Sequence, residues 1–438
     1  MSRSRAPLVA ATLTVLASLT AARAQPAAPV RLGVRELAAE VLRAHPALRA
    51  SREDVAAARA ERRQAGLWPN PEAEAEWADA LWFGDEGERS GSLGISQRLP
   101  VAGRLARARD VARADVAISQ RDSAALALQL VADAEREAVT VLALERAIGA
   151  REEALEATRA LAQISARRFR AAETSEADVN LLEIEVSSLE QERELLRLER
   201  AAAVITLNRL LSRPPDAPLE IEGALEASLF EAAAADSIVA NALRERPDLN
   251  RLQTEVARAR AEARLARAEA WEDWGVGAAY EREVGTIDDA GLELRDRDNL
   301  LALSLRIPLP LWNRNQGRVA AAHARERAAA ERLAAAEQTV RAEIATALER
   351  TTRLRALSES HQAAALARAR RNVELLERGY AQGITPVSEI VQGQRQLADA
   401  SARLAETLGA LRRAEIELEA AAAASPLLRE LNTQENQQ

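Results

Sequence analysis

The sequence predicts a mainly α-helical chain with a small β part, built by duplication from long α-hairpins, with four β-strands in all. Three observations predict it. In Ser304 to Gly317 (S-L-R-I-P-L-P-L-W-N-R-N-Q-G) a strand ends and a long helix begins. Leu301, Leu303, Leu305 and Ile307 alternate with smaller or polar residues, the period of a half-buried strand, and Pro308 and Pro310 stop it for want of ladder N–H groups. Second, Ser96, Arg98, Leu99, Pro100, Gly103 and Arg104 recur in order as Ser304, Arg306, Ile307, Pro308, Gly317 and Arg318. Third, the 438 residues are rich in Ala, Arg, Glu and Leu with only 3% aromatics, so long helices are expected rather than a bulky core.

Charge and cysteine usage narrow the function classes. The formal charge is -8, and an acidic surface argues against a nucleic-acid partner. Most arginines interleave with glutamates at helical spacing, as on a solvated helix face. With no cysteine there is no disulfide, no thiolate metal site and no lipobox for an acyl anchor.

Residues 1–24 have the order of a secretory signal: Arg3 and Arg5, an apolar run from Pro7 to Leu19, then Ala22-Arg23-Ala24. No other stretch approaches the ~20 apolar residues of a spanning helix. Any membrane this chain crosses is therefore crossed by strands, in a closed outer-membrane barrel.

The first repeat is expected over 25–212. Val34 to Ala44 and Ala47 to about Gly66 read as helices separated at His45-Pro46. After Trp68-Pro69-Asn70-Pro71 the period falls to two: Glu72, Glu74 and Glu76 alternate with Ala73, Ala75 and Trp77. Strands are expected at about 72–83 and 91–99 across the polar turn Gly84 to Arg89, with Trp77, Trp82 and Phe83 suited to an interfacial girdle. A long hairpin follows over 103–212, turning at Ala172-Glu173-Thr174-Ser175. Its returning helix is shorter by about 30 residues, a deficit that the helix Ala47–Gly66 would fill by stacking on its end. Residues 213–235 read as a linker.

The second repeat is expected over 236–424. Pro46, Leu48 and Glu61 match Pro247, Leu249 and Glu262 at one constant offset. Strands fall at about 274–283 and 299–307, joined by an acidic loop Gly285 to Asp298, and a second hairpin spans 317–424 with its tip at Gly379 to Pro386. Residues 425–438 read as a polar tail. Four strands cannot close around water, and open edges cannot sit in lipid. Copies must associate, two giving eight strands and three giving twelve.

The joint L-P-L-W-N-R-N-Q-G-R-V-A-A-A, the W-P-N-P segment and the tip Y-A-Q-G-I-T-P-V-S-E resemble the outer-membrane efflux family typified by TolC. The branch they are most similar to is the CzcC-like outer-membrane subunits of heavy-metal pumps. The resemblance implies a homotrimer with a twelve-stranded outer-membrane β-barrel above a periplasmic α-barrel. It implies a passive exit duct that docks a periplasmic adaptor and a proton-driven inner-membrane RND pump, with heavy-metal cations as substrate. It also implies a periplasmic entrance ringed by acidic residues inside the second tip. Glu389 occupies that place. Gln392 stands one turn on where some relatives have a second acid, which weakens a cation-binding ring, and Asp178 is the counterpart of Glu389 in the first repeat. Adaptor contact is expected on the tips: Arg168, Phe169, Thr174 and Ser175, with Gly379, Tyr380, Gly383 and Thr385.

No enzyme is expected. His45, His323 and His361 have no metal-ligand spacing, no phosphate-binding or dinucleotide motif occurs, and neither cofactor nor metal is implied. The rival is a soluble periplasmic coiled-coil or adaptor-type structural protein. An adaptor has one hairpin and several compact β domains; this chain has two hairpins and only two strand pairs.

Overall fold

The computed structural model describes residues 30–79, 89–223, 225, 235–289 and 292–423. The strand β1 (Val30–Gly33) leads into helix α1 (Val34–Ala44). Pro46 ends α1, because its ring disfavours helical geometry in the preceding residue. It also opens α2 (Pro46–Gln64), where the missing N–H is no loss. His45 is half-buried between them and caps α2, its Nδ1 accepting the Ala47 N–H at 3.2 Å. Burial, and then Arg209, push its imidazole below the usual range.

Strands β2 (Glu72–Asp79) and β3 (Arg89–Leu99) follow; Trp82 and Phe83 lie outside the described residues. The helix α3 (Arg104–Arg170) has 67 residues, or ~100 Å at 1.5 Å per residue. Its return α4 (Glu176–Leu210) has 35. α2 lies along the first part of α3, with Ser51 Oγ 2.9 Å from Ser123 Oγ. α4 covers the rest, through Arg200–Glu145 at 2.6 Å and Arg197–Glu152 at 2.7 Å.

The stretch expected as a linker holds a strand, β4 (Leu219–Glu222), which pairs in parallel with β1 from Val30↔Leu219 to Gly33↔Glu222. Leu219 and Ile221 are buried on one face. Four residues of alternation are too few to separate a strand from a loop in sequence.

The second half repeats the plan with α5 (Ala235–Glu245), α6 (Pro247–Ala268), β5 (Trp274–Asp289) and β6 (Leu292–Arg306). These strands are longer than expected and run through the acidic segment assigned to a loop. Registers such as Glu283↔Asp298 and Val284↔Arg297 continue the ladder. Charge density marks solvent exposure, and an exposed antiparallel ribbon meets that condition as well as a loop does. The second long helix is also interrupted. α7 (Gln316–Ala356) passes through a π-helical turn at Leu357–Gln362 into α8 (Ala363–Ala381). Ser358 and Ser360 return their hydroxyls to the carbonyls of Arg355 and Ala356, which competes with the regular ladder. The returning helix is α9 (Val387–Ala421).

The two strand pairs fuse into one antiparallel sheet in the order β2-β3-β5-β6. The helices form a curved wall: α2, α3, α6 and α7 side by side near the sheet, and α4, α3, α9 and α8 toward the tips. Ion pairs join the repeats at Arg251–Asp122 (2.5 Å), Arg258–Asp115 and Arg151–Asp399 (2.8 Å). The main core sits between the sheet and the tips. There Leu37 and Val41 of α1, Ile221 of β4, Leu142 of α3, Leu207 of α4 and Ile416 of α9 are buried together, each worth ~1.5–3 kcal/mol of burial. Among the described residues no helix is long and apolar enough to cross a membrane.

Candidate functional site

Two regions stand out: the sheet and the paired hairpin tips. Directly opposed residues share a sheet face, and the register sorts the faces by polarity. One row reads Ala75, Leu93, Tyr280, Leu301 and the next Ala73, Ile95, Ala278, Leu303. Leu303 is 80% exposed, Trp77 75% and Leu301 71%, so this apolar face has no cover. Trp77 lies across Gly91, where an added Cβ would come within 3.2 Å of its ring. The other face carries Glu72, Glu74, Glu76, Glu281, Glu283 and Asp298 among serines, glycines, alanines and Leu300, against Arg98 and Arg306. It is mostly polar, and its acids outnumber its arginines. Arg98 pairs with Glu72 at 2.6 Å. The outer edges of β2 and β6 pair with no described strand.

The two tips are the same device built from different residues. At the first, Ala172 takes the left-handed conformation (φ 58°) and the Glu173 N–H reaches back to the Arg168 carbonyl at 2.8 Å. At the second, Gly383 takes that place (φ 74°) and the Ile384 N–H reaches the Gly379 carbonyl at 2.9 Å. Gly379 is required by close approach, since a Cβ there would lie 2.1 Å from Thr385 Oγ1. Sequence separation then places Ser175 against Pro386 and Asp178 against Glu389.

That pairing separates the two carboxylates. Ser175 caps α4 and forms a capping box with Asp178: the Asp178 N–H donates to Ser175 Oγ at 3.2 Å and the Ser175 N–H to Asp178 Oδ2 at 3.3 Å, and the Ser175 hydroxyl also donates to Asp178 Oδ2 at 2.8 Å. The Thr174 hydroxyl adds a third bond to that oxygen at 2.8 Å. The hydroxyls of Ser175 and Thr174 hold the Asp178 carboxyl below its usual range. Pro386 has no side-chain donor, and the exposed side chain of Glu389 makes no hydrogen bond or ion pair among the described residues. Gln392 is likewise exposed and unpartnered among them. Two residues alike in position thus differ in availability: Asp178 is committed to its helix end, and Glu389 is free.

The tips pack on one another. Leu182 of α4, Tyr380 of α8, and Val387, Ile390 and Val391 of α9 form one buried cluster. The Arg168 guanidinium stacks 4.6 Å over the Tyr380 ring. Tyr380, expected as a contact residue, is only 8% exposed, and Arg168 is half-buried over it. Phe169, Ser175 and Gly383 are exposed; Thr174, Gly379 and Thr385 are half-buried.

Above the tips lie cross-ties that sequence reasoning missed. The Arg395 Nε donates to buried Glu185 at 2.6 Å, tying α9 to α4. The Thr158 hydroxyl donates to Gln394 Oε1 at 3.1 Å, and Arg151 bridges Glu192 and Asp399. A signal for Glu185 existed: it sits between Leu182 and Leu189 at helical spacing, on the stripe that is buried. Among the described residues no group of three His, Cys, Asp or Glu side chains could hold a metal ion.

The same architecture occurs in solved channel structures. The chain superposes on CusC, whose crystal structures describe conformational changes accompanying folding and transmembrane channel formation. The TM-score is 0.73 at 19% identity, covering 89% of this chain and 91% of that one. It is similar to the outer-membrane channel OprN (TM-score 0.72, 16% identity, 90% of both chains). It is also similar to the Campylobacter jejuni outer membrane channel CmeC (TM-score 0.72, 14% identity, 89% and 85%). No curated protein matches the chain at a significant level. Residues 238–424 match the family described as Outer membrane efflux protein. That segment is the second repeat, and the first is folded on the same plan. Over its second repeat the chain is thus similar to the outer membrane efflux protein family, and over most of its length it shares the fold of these channels.

Proposed function

We propose that this chain is the passive exit duct of a tripartite efflux pump. Three copies close a twelve-stranded barrel in the outer membrane over a periplasmic helical tube, which receives substrate from a periplasmic adaptor and an inner-membrane RND pump. The observation that carries this reading is the single four-stranded sheet, mainly apolar on one face and mainly acidic on the other, with both edges unpaired among the described residues. At ~4.8 Å per strand and a tilt of ~40°, twelve strands give a barrel ~24 Å across, wide enough for water. Eight give ~16 Å, which side chains fill. The helical wall is open in the same way. On α4, the last helix at one edge, Ile184, Leu195, Leu198 and Ile205 form an exposed apolar ridge, and Leu357 and Leu375 are exposed toward the other edge.

The cargo we propose is cationic, heavy-metal ions included. The polar sheet face is acidic, and three copies of the unpartnered Glu389 would ring the periplasmic entrance with carboxylates. Asp178 and Gln392 stand beside that ring without adding a free charge. The tip residues Phe169, Ser175, Gly383 and Thr385 form the surface offered to the adaptor. The test is membrane fractionation, light scattering of the detergent-extracted protein, and reversal potential in bilayers under a salt gradient. A cation-selective trimer in the outer membrane is expected; a soluble monomer refutes the duct.

A further inference from the structure

A groove of about 650 Å³ between α2 and α3 is lined by Arg59, Arg62, Arg63, Arg109 and Arg113 over a floor of Val116 and Ala117. Five arginines converge on it, and among the described residues no carboxylate lines it. The side chains of Arg59, Arg62 and Arg63 are exposed and make no hydrogen bond or ion pair among the described residues. Arg113 has only Asp110, at 3.4 Å. Arg109 is held in place: its guanidinium donates to the Gly66 carbonyl at 2.7 Å. It also lies so close to Gly66 that an added Cβ would fall 1.9 Å from its Nε. Gly66 thus makes room for a guanidinium that would otherwise be displaced.

The direction the groove faces follows from the contacts of α3. Asp115 and Asp122 point to α6, through Arg258 and Arg251. Ser123 and Arg109 point to α2. At roughly 100° per residue these two directions are only about 100° apart around α3, and buried Ala112 falls between them. Arg113 and Ala117 fall outside that angle, on the convex side of the wall.

Its height follows from the joint. α2 ends at Gln64 and β2 begins at Glu72, with Pro69 accepting from Gln97 of β3 at 2.9 Å. Arg109 and Arg113 lie within ~15 Å of the start of α3. Trp68, Trp271, Trp312, Leu309 and Leu311 are all exposed at the same joint in the two repeats, as at a membrane–water boundary. A headgroup layer is ~5–8 Å deep on each side of the hydrocarbon, so the first turns of α3 stand at phosphate depth or just below it.

We infer that this arginine groove binds the phosphate of an anionic phospholipid in the periplasmic leaflet of the outer membrane. The inference rests on the outer-membrane reading above. It names a lipid contact on the outer wall, away from the conduction path.

The test uses the mature oligomer in neutral detergent, delipidated and titrated with phosphatidylglycerol or with phosphatidylcholine of the same chains, bound lipid being read by native mass spectrometry. A parallel arm uses inorganic phosphate alone. Expected is preferential binding of phosphatidylglycerol, weakened by salt, with a Kd at least tenfold higher in R59Q/R62Q/R63Q/R113Q. The milder pair R62Q/R63Q serves if the fourfold variant does not assemble, with a rise of about threefold. R325Q/R332Q on the exposed face of α7 leaves binding unchanged. Equal binding by wild type and variants, equal binding of the two lipids, or binding of inorganic phosphate that the lipid does not displace overturns the inference. Fractionation separates the two readings: a protein absent from the outer membrane defeats the duct, whereas an embedded one with unaltered lipid binding defeats only the groove.

Discussion

Glu185 and Arg395 offer the sharpest test of how the two hairpins hold together near their tips. Glu185 is buried, its side chain 4% exposed, while the Arg395 side chain is 54% exposed. Nε–Oε1 is 2.6 Å. Removing one partner of a fully buried pair costs about 3–5 kcal/mol, but solvent screening of the arginine lowers that figure here. The scale for a charged hydrogen bond, about 1.5–3 kcal/mol, is the better guide. Arg395→Gln should therefore raise the population of splayed tips about 10- to 150-fold. The absence of cysteine from the chain allows spin labels at Asn180 and Ser388 alone, both exposed. Pulsed electron-paramagnetic distances between them should broaden toward longer values in R395Q and in E185Q. In E185Q/R395Q the broadening should be no greater than in either single variant. Equal distances in all four proteins, or broadening that simply adds, would refute the tie.

Glu389→Ala should reduce cation selectivity and alter cation block of the reconstituted pore, while Asp178→Ala should leave both unchanged, as measured in planar bilayers; unchanged behaviour of E389A across pH removes Glu389 from the gate. Ser175→Ala should cost the first tip about 1 kcal/mol, read as faster amide exchange at the start of α4. Asp178 has its carboxyl held below the ordinary value of 3.8, so its contribution is complete above that value. It is lost as the pH falls through the lower folded value, and exchange in the first turn of α4 should rise only in strong acid. Gly379→Ala should disorder the second tip, because the new Cβ meets Thr385 Oγ1; limited proteolysis at Gln382-Gly383 should show it, and adding Thr385→Ala should largely reverse it.

Much of the fold follows from local rules, and its exceptions follow from interactions those rules do not contain. Glu72 to Trp77 announces a strand by strict alternation, and the run from Gly317 announces a helix by lacking proline and glycine. By contrast, Leu219–Glu222 becomes a strand only because β1 lies beside it, a pairing across nearly the whole first repeat. At the π-helical turn Gln362 reaches Thr407 of α9 at 2.8 Å, a contact invisible along α7. The fusion of the two strand pairs, from Leu99↔Trp274 to Arg89↔Val284, is likewise a choice between distant segments. Local chemistry shows that each pair is a hairpin; which hairpins become neighbours is decided by how α3 and α6 pack.

The tips show how far position alone carries a functional assignment. By alignment of the repeats, Asp178 and Glu389 are equivalent, and both qualify for an acidic entrance. Their difference lies three residues earlier, where the first repeat has Ser175 and the second Pro386. A serine three residues before an acid closes a capping box, and the carboxylate is then occupied in satisfying a helix end. Proline can open a helix but offers no hydroxyl, so the acid after it keeps its charge for solvent or for an ion. The two copies of the turn thus differ: one carboxylate is held at its helix end, and the other is left exposed. The residue that makes the difference is the cap; neither carboxylate would reveal it alone.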